Sequence, residues 1–168
     1  MKNHYEIERK FLICLPELDK LNITSRTAIT QTYLKNTESD AQRRVRRSES
    51  GGVCSYTYTE KVFVTAVTRK EFEISIDEAE YLRLLTQARE DCAPVEKVRY
   101  CFEYRSQMFE MDVYPFSDKL AILELELEND QQEIYFPDTI KIIKEVSDDG
   151  RYSNAALASA ASFPEISA

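Results

Sequence analysis

The chain reads as a mainly β protein: an eight-stranded antiparallel β-barrel tunnel with a charged lumen and a few decorating helices. Three observations lead there. Segments with period-2 alternation recur along most of the 168 residues, the spacing at which a strand shows two different faces. Within those segments the charged residues share one face and are sorted by sign, acid with acid and base with base. Only 3 Gly and 5 Pro are present, which leaves no long flexible linker and fits one domain, residues 1–168, ending in a loose tail at 163–168.

In chain order the alternating segments are Tyr5–Leu12, Ile29–Lys35, Gln42–Ser48, Val53–Val64, Arg69–Ile76, Glu96–Tyr104, Gln107–Tyr114 and Ala121–Glu128, giving eight candidate strands. Arg105-Ser106 can close a tight hairpin between the sixth and seventh. Asp77–Arg89 carries a helical stripe, Ala79, Leu82, Leu85 and Ala88, with Asp77 placed to cap it. Pro16–Leu21, Pro137–Ile143 and the Ala-rich Ser153–Ser162 are further helix candidates.

The faces carry the chemistry. Glu6, Glu8 and Lys10 align on the first strand, opposite Ile7 and Phe11. Arg44 and Arg46 share a face with Val45 opposite, and Thr57, Thr59 and Lys61 align on the fourth strand. Glu71 and Glu73 align, then Lys97 and Arg99, then Glu110 and Asp112, then Glu124, Glu126 and Glu128. A solvated sheet face mixes signs, because like charges two residues apart repel. Sorted charges make sense when a ligand compensates them. Carboxylate pairs suit hard divalent cations such as Mg²⁺ or Mn²⁺, and Arg or Lys pairs suit phosphate oxygens. With the charged faces turned inward the sheet closes around a polar lumen, and the apolar faces turn outward to be covered by helices.

Bulk properties narrow the class. A formal charge of −8 argues against nonspecific nucleic-acid binding. No stretch approaches the roughly 20 apolar residues of a membrane span. The opening MKNHYEIERKF lacks the apolar core of a signal peptide, and Cys14, Cys54, Cys92 and Cys101 lack CxxC spacing, so the expected setting is a reducing cytoplasm. The single histidine, His4, is expected to be an exposed terminal residue and makes a zinc site improbable.

As an ordered set these motifs resemble a known family. Glu6-Ile7-Glu8-Arg9-Lys10 matches the ExExK signature of the CYTH superfamily, the triphosphate tunnel metalloenzymes. Gln31-Thr32-Tyr33-Leu34, Arg44-Val45-Arg46, Thr59-Glu60-Lys61, Glu71-Phe72-Glu73, Lys97-Val98-Arg99-Tyr100, Glu110-Met111-Asp112 and Glu124-Leu125-Glu126-Leu127 follow in order. Glu145-Val146-Ser147-Asp148-Asp149 with Arg151-Tyr152-Ser153-Asn154 resembles the C-terminal motif, so the likeness spans Tyr5 to Leu157. Two departures stand out: Ser147 where the family usually has Thr, and Ile143-Lys144 where it often has Gly or a short turn.

The resemblance implies an antiparallel tunnel that binds triphosphate, similar to the short bacterial branch of inorganic triphosphatases. It implies metal binding by Glu6, Glu8, Glu124 and Glu126, with Glu71, Glu73 and Asp112 orienting basic residues or holding a second metal, and Mg²⁺ or Mn²⁺ as cofactor. Lys10, Arg44, Arg46, Lys61, Lys97 and Arg99 become the phosphate cradle, with Arg151 reaching in from the C-terminal motif. Lys10, Lys97, Glu8 and Glu126 are the residues expected nearest the chemistry; Glu110 and Glu128 are expected at solvated mouths, and Tyr33 either lines the lumen or packs. The expected partner is a small-molecule triphosphate, without nucleic acid or membrane, and a homodimer is compatible with it. The alternatives are hydrolysis or cyclisation of an organic triphosphate (a nucleotide or thiamine triphosphate), a polyphosphate-binding module without turnover, and an unrelated surface-charged β protein.

Overall fold

The computed structural model describes residues 2–37 and 40–166, with side chains from residue 5 onward, so the side chain of His4 and the last two tail residues lie outside the described set. Strands β1 (Lys2–Cys14), β2 (Ile23–Tyr33), β3 (Gln42–Ser50), β4 (Val53–Phe63), β5 (Thr68–Ile76), β6 (Val95–Tyr104), β7 (Gln107–Val113) and β8 (Leu120–Leu127) form a sheet in the order β5-β4-β3-β2-β6-β7-β8-β1. Antiparallel pairing of β5 with β1, from Lys2↔Glu73 to Ile7↔Thr68, closes the barrel and removes its edges.

Tight turns set the register. Gly51 and Gly52, at φ 58° and 79°, make the two-residue link between β3 and β4, a left-handed conformation that glycine adopts without steric penalty. Arg105 and Ser106, at φ 50° and 60°, close the β6–β7 hairpin as expected.

A ninth strand, β9 (Ile142–Glu145), was not legible in the alternation. Beyond Ile7 the edge of β1 that pairs with β5 is vacated, leaving backbone donors and acceptors that need partners. Residues 11–13 of β1 find them in β9, across a register shift between Leu12 and Ile13. This overturns the helix expected at Pro137–Ile143. Pro137 opens a turn whose carbonyl accepts from Ile140 N at 3.0 Å, and the chain then runs extended onto β1. The expected helix at Pro16–Leu21 shrinks to one 3-10 turn, Leu18–Lys20.

Apolar faces are covered in three places, two on the outer wall and one inside a barrel end. Helix α1 (Glu78–Leu85) packs Tyr81 and Leu84 against Val45 and Leu34 on the outside of β3 and β4. Asp77 caps it, its Oδ1 accepting from Glu80 N at 2.8 Å; the helix stops short of Arg89 because Ala88 bridges back to Leu34. The outer face of β1, β8, β7 and β6, with Phe11, Phe109, Leu123 and Leu125, is covered by Ile134, Phe136 and Ile140 of the extended connection after β8, not by a helix. Helix α2 (Asn154–Ala160) turns Leu157 into a third cluster with Leu12, Ile122, Tyr114 and Tyr152, which plugs one barrel end from within, Leu12 and Ile122 sharing strand faces with Lys10 and Glu124. Phe163, within the tail expected to be loose, joins it edge-on to Tyr114 and Phe116 at 5.8 and 5.2 Å between ring centroids. No described helix is long and apolar enough to cross a membrane.

Candidate functional site

Alternation places the sorted charges where the sequence suggests. Glu6, Glu8, Lys10, Arg44, Arg46, Lys61, Glu71, Glu73, Arg99, Glu110, Glu124 and Glu126 all line one internal cavity of about 560 Å³. Their opposite neighbours, such as Val45, Met111 and Leu125, sit in the outer apolar layers. The barrel thus turns the usual order inside out, with charge at its centre.

The carboxylates fall into groups. Glu8, Glu110 and Glu124 each offer an oxygen, and these oxygens lie within 4.8 Å of one another. Antiparallel register explains the meeting: Glu110 and Glu124 are direct partners across β7–β8, and Lys10, two residues beyond Glu8 on the same face of β1, is the partner of Glu124. Burial and the neighbouring Glu124 push the Glu8 carboxyl above the usual carboxylate range, and burial does the same to Glu110 against the pull of Arg99. Burial would also raise Glu124, but Lys10, Arg99 and Lys97 outweigh it and hold this group at about 2. Three hard oxygen donors converging in one spot are a donor set that fits Mg²⁺ or Mn²⁺.

Glu6 stands apart from that trio, 3.9 Å from Lys61 Nζ, with Glu71 Oε2 3.4 Å from the same nitrogen. Burial, opposed by Lys61 and reinforced by Glu8 and Glu71, pushes Glu6 up to about 8. Glu73 lines the cavity on β5, and the exposed Glu126 lines it on β8. Of the residues expected to bind metal, Glu8 and Glu124 therefore meet, joined by Glu110, while Glu6, Glu73 and Glu126 do not enter the trio.

The basic side is built on β3 and β4. Arg46 donates from Nε and Nη2 to the neutral Gln31 Oε1 at 3.1 and 2.8 Å. Burial together with Arg44 and Arg99 pulls Arg46 down to about 9. Arg44 keeps a buried Nε with no hydrogen-bond partner. Burial and Arg44 pull Lys61 below the usual lysine range. Such groups are costly to leave in this state, and an anion in the lumen would satisfy them.

Two expected phosphate ligands sit elsewhere. Lys97 lies behind the cavity lining with its side chain fully buried, donating to Asp112 Oδ2 at 2.7 Å and to Asn154 Oδ1 at 3.3 Å. Asp112 is equally buried, and Arg99 also donates to it from Nε at 2.8 Å and Nη2 at 3.0 Å. Burial would raise Asp112, but these two cations hold it well below the carboxylate range. Parity along a strand says which way a side chain points and not how deeply it is covered, so this pair forms a structural layer and not an open ligand set. Arg151 is a clearer departure: its exposed guanidinium grips Asp149 at 2.7 Å and does not line the cavity.

The sequence reading missed Arg69, which lines the cavity on β5 with Nη1 3.5 Å from Glu8 Oε1. Its parity with Glu71 and Glu73 was the available signal. It also placed Glu110 at a solvated mouth. Tyr33 does both things expected of it, lining the cavity and packing in the α2 cluster.

The C-terminal motif closes part of one barrel end. Lys10 N donates to Ser147 Oγ at 2.9 Å and Val146 N to Lys10 O at 2.8 Å, so the serine hydroxyl helps tie the motif to β1. Arg9 grips Glu145 through Nε and Nη2 at 2.9 and 2.6 Å on the outside. Residues 146–150, Ser153 and Asn154 then line the cavity near Lys10.

The CYTH domain family profile matches residues 4–154. The solved structure of the inorganic triphosphatase NE1496 is 31% identical, with a TM-score of 0.56, covering 91% of this chain and 93% of that one. The PH1819 protein from Pyrococcus horikoshii OT3 shares the fold at 18% identity and TM-score 0.56, over 74% of this chain and 80% of that one. A putative adenylate cyclase from Bacillus halodurans does so at 16% and 0.51, over 77% and 83%. No curated protein sequence matches the chain. The closed eight-stranded barrel, its charged lumen and the match over residues 4–154 together mean that this chain belongs to the CYTH domain family.

Proposed function

We propose that the chain is a divalent-metal-dependent triphosphatase that hydrolyses inorganic triphosphate in its lumen, in the cytoplasm. The observation that carries this reading is one cavity in which Arg44, with a buried Nε lacking a hydrogen-bond partner, and Arg46, held by a neutral amide, face a convergent carboxylate trio, Glu8, Glu110 and Glu124. Membership of the CYTH family and the 31% identity to an inorganic triphosphatase support it.

Catalysis here is positioning and electrostatics. A triphosphate brings about four negative charges, and cleavage shifts charge onto its oxygens. Arg44, Arg46, Lys61 and Lys10 would hold the phosphate chain, Arg and phosphate by forked hydrogen bonds. Glu8, Glu110 and Glu124 would hold Mg²⁺ or Mn²⁺, which when bound supplies Lewis-acid polarisation of phosphoryl oxygen and a more acidic water. Glu124, ionised under the pull of Lys10 and Arg99, is ready for a cation, whereas burial and the neighbouring Glu124 make Glu8 harder to ionise until a cation offsets them. Arg99, tied to Asp112 and Glu110, orients that acidic side.

Phosphate release from inorganic triphosphate, ATP and diphosphate, each with Mg²⁺, Mn²⁺ or EDTA, tests the reading. Triphosphate should give the highest kcat/KM. Diphosphate reaches fewer cations, and losing two charge-assisted hydrogen bonds at about 1.5–3 kcal/mol each costs on the order of a hundredfold or more. EDTA should abolish turnover. Full activity in EDTA removes the metal; ATP favoured tenfold over triphosphate removes the inorganic substrate.

A further inference from the structure

Among the charged residues of the cavity lining stands an exposed aromatic ring. Phe63, the last residue of β4, lines the cavity yet is 56% exposed. It pairs across the sheet with Arg69, whose guanidinium lies 5.4 Å from the ring centroid. Arg69 is itself held from behind, Nη1 lying 3.5 Å from Glu8 Oε1, and its buried Nε has no hydrogen-bond partner. The cation therefore fixes one side of the ring while more than half of the residue stays open to solvent.

The ring's place matters. Strands β1 and β4 run in the same direction, since each pairs antiparallel with β5. Phe63 thus lies at the barrel end where α2 and Leu12 pack, and it lines the cavity there together with the C-terminal segment 146–150. It shares a strand face with Lys61, two residues or roughly 6.6 Å away. A phosphate chain held at Lys61 and Arg44 could direct an esterified end toward that ring.

We propose that Phe63, backed by Arg69, is a stacking subsite for the base of a nucleoside triphosphate, through which the lumen accepts nucleotides as secondary ligands. The inference rests on the reading of the lumen as a triphosphate site. Stacking of a base on an aromatic side chain tolerates any base and leaves the phosphate contacts unchanged. An alternative role for the ring is to shield the Arg69–Glu8 pair from water. Leucine would shield as well but cannot stack, so substitution separates the two roles.

The test compares ATP and inorganic triphosphate in wild type, Phe63→Leu and Phe63→Trp, with Mg²⁺ present. ATP is read as a competitive inhibitor of triphosphate hydrolysis. Phe63→Leu should raise the ATP inhibition constant about fivefold to tenfold and move the triphosphate KM less than twofold; Phe63→Trp should restore or tighten ATP binding. An ATP constant unchanged in Phe63→Leu, a shift shared equally by both ligands, or no ATP inhibition of wild type at millimolar concentration overturns the subsite. If wild type does not hydrolyse inorganic triphosphate, the functional reading falls, and calorimetric titration of ATP into wild type and Phe63→Leu then decides the subsite by the same fivefold criterion.

Discussion

The two sides of the lumen treat charge in opposite ways. On β6, β7 and β8 the cations are committed: Lys97 donates to Asp112, and Arg99 reaches Asp112, Glu110 and Glu124. On β3, Arg46 is held by a neutral amide and Arg44 leaves a buried Nε unpartnered. A buried charge with its counter-charge is part of the structure, whereas one without is a standing cost that a ligand can relieve. Equal-looking Arg and Lys pairs in the sequence thus have different jobs, and the difference lies in what each pair already touches.

Removing the counter-charge on the committed side should have the largest effect. Asp112→Ala leaves Lys97 and part of Arg99 buried without their carboxylate, and breaking a buried pair costs about 3–5 kcal/mol. Urea denaturation should show a lower midpoint with the same slope. A loss below about 1 kcal/mol would mean that this layer is not structural, and the contrast between the two sides would collapse.

On the open side the effect should move from stability to activity. Arg46→Met removes a forked donor aimed at the phosphate chain and should lower kcat/KM for triphosphate by roughly a hundredfold, two charge-assisted hydrogen bonds' worth at the low end. The midpoint of unfolding should hold or rise, because burial and the nearby Arg44 and Arg99 already disfavour this charge. Destabilisation as large as that of Asp112→Ala would show that Arg46 is a structural residue too.

Much of this was legible beforehand because strand parity is local. Eight strands, their turn at Arg105-Ser106, the cap at Asp77 and the inward direction of Glu8, Arg44 and Lys61 all follow from alternation and short-range chemistry. What parity could not give was depth and long-range pairing. Lys97 and Arg99 alternate identically, yet the first is sealed behind Asp112 and Asn154 while the second lines the cavity. Glu110 joins Glu8 and Glu124 only because the long-range pairing of β1 with β8 brings β7, β8 and β1 side by side. Strand β9 forms because β5 leaves the edge of β1 at Ile7, an event some 135 residues away in sequence, and Arg151 matched a motif while its side chain turned outward to Asp149.

Metal-free protein should lose stability as pH rises. The raised carboxyls Glu8, Glu110 and Glu6 (the last at about 8) bind protons where the unfolded chain has already released them, above its usual value near 4.3. Their contribution is complete below that value and disappears as pH climbs through the folded values. Melting curves in EDTA should therefore fall as pH rises from about 4.5 to about 8, the value for Glu6, and Mg²⁺ should lessen the fall by replacing protons on the trio. Calorimetry should show proton release on Mg²⁺ binding, with affinity rising by up to about tenfold per pH unit where one proton is displaced. Glu124, already ionised, adds nothing to that slope. A flat affinity profile, or proton uptake, would remove the trio as the cation site.

The smallest expected effect asks how the open side is kept in place. Gln31 is fully buried, and its Oε1 accepts both Arg46 bonds while its Nε2 donates to Tyr33 Oη at 3.2 Å. Gln31→Met keeps the length of the side chain and removes the acceptor. Arg46 would remain in the lumen but lose the alignment that aims its fork, which is worth about 1 kcal/mol, or roughly fivefold in triphosphate KM with kcat less affected. The decisive comparison is the double variant. If Gln31 acts by orienting Arg46, Gln31→Met adds nothing once Arg46→Met is present, because the two residues share one interaction. If the two losses multiply instead, Gln31 serves the site independently, through Tyr33, and a neutral amide is not what separates the open side from the committed one.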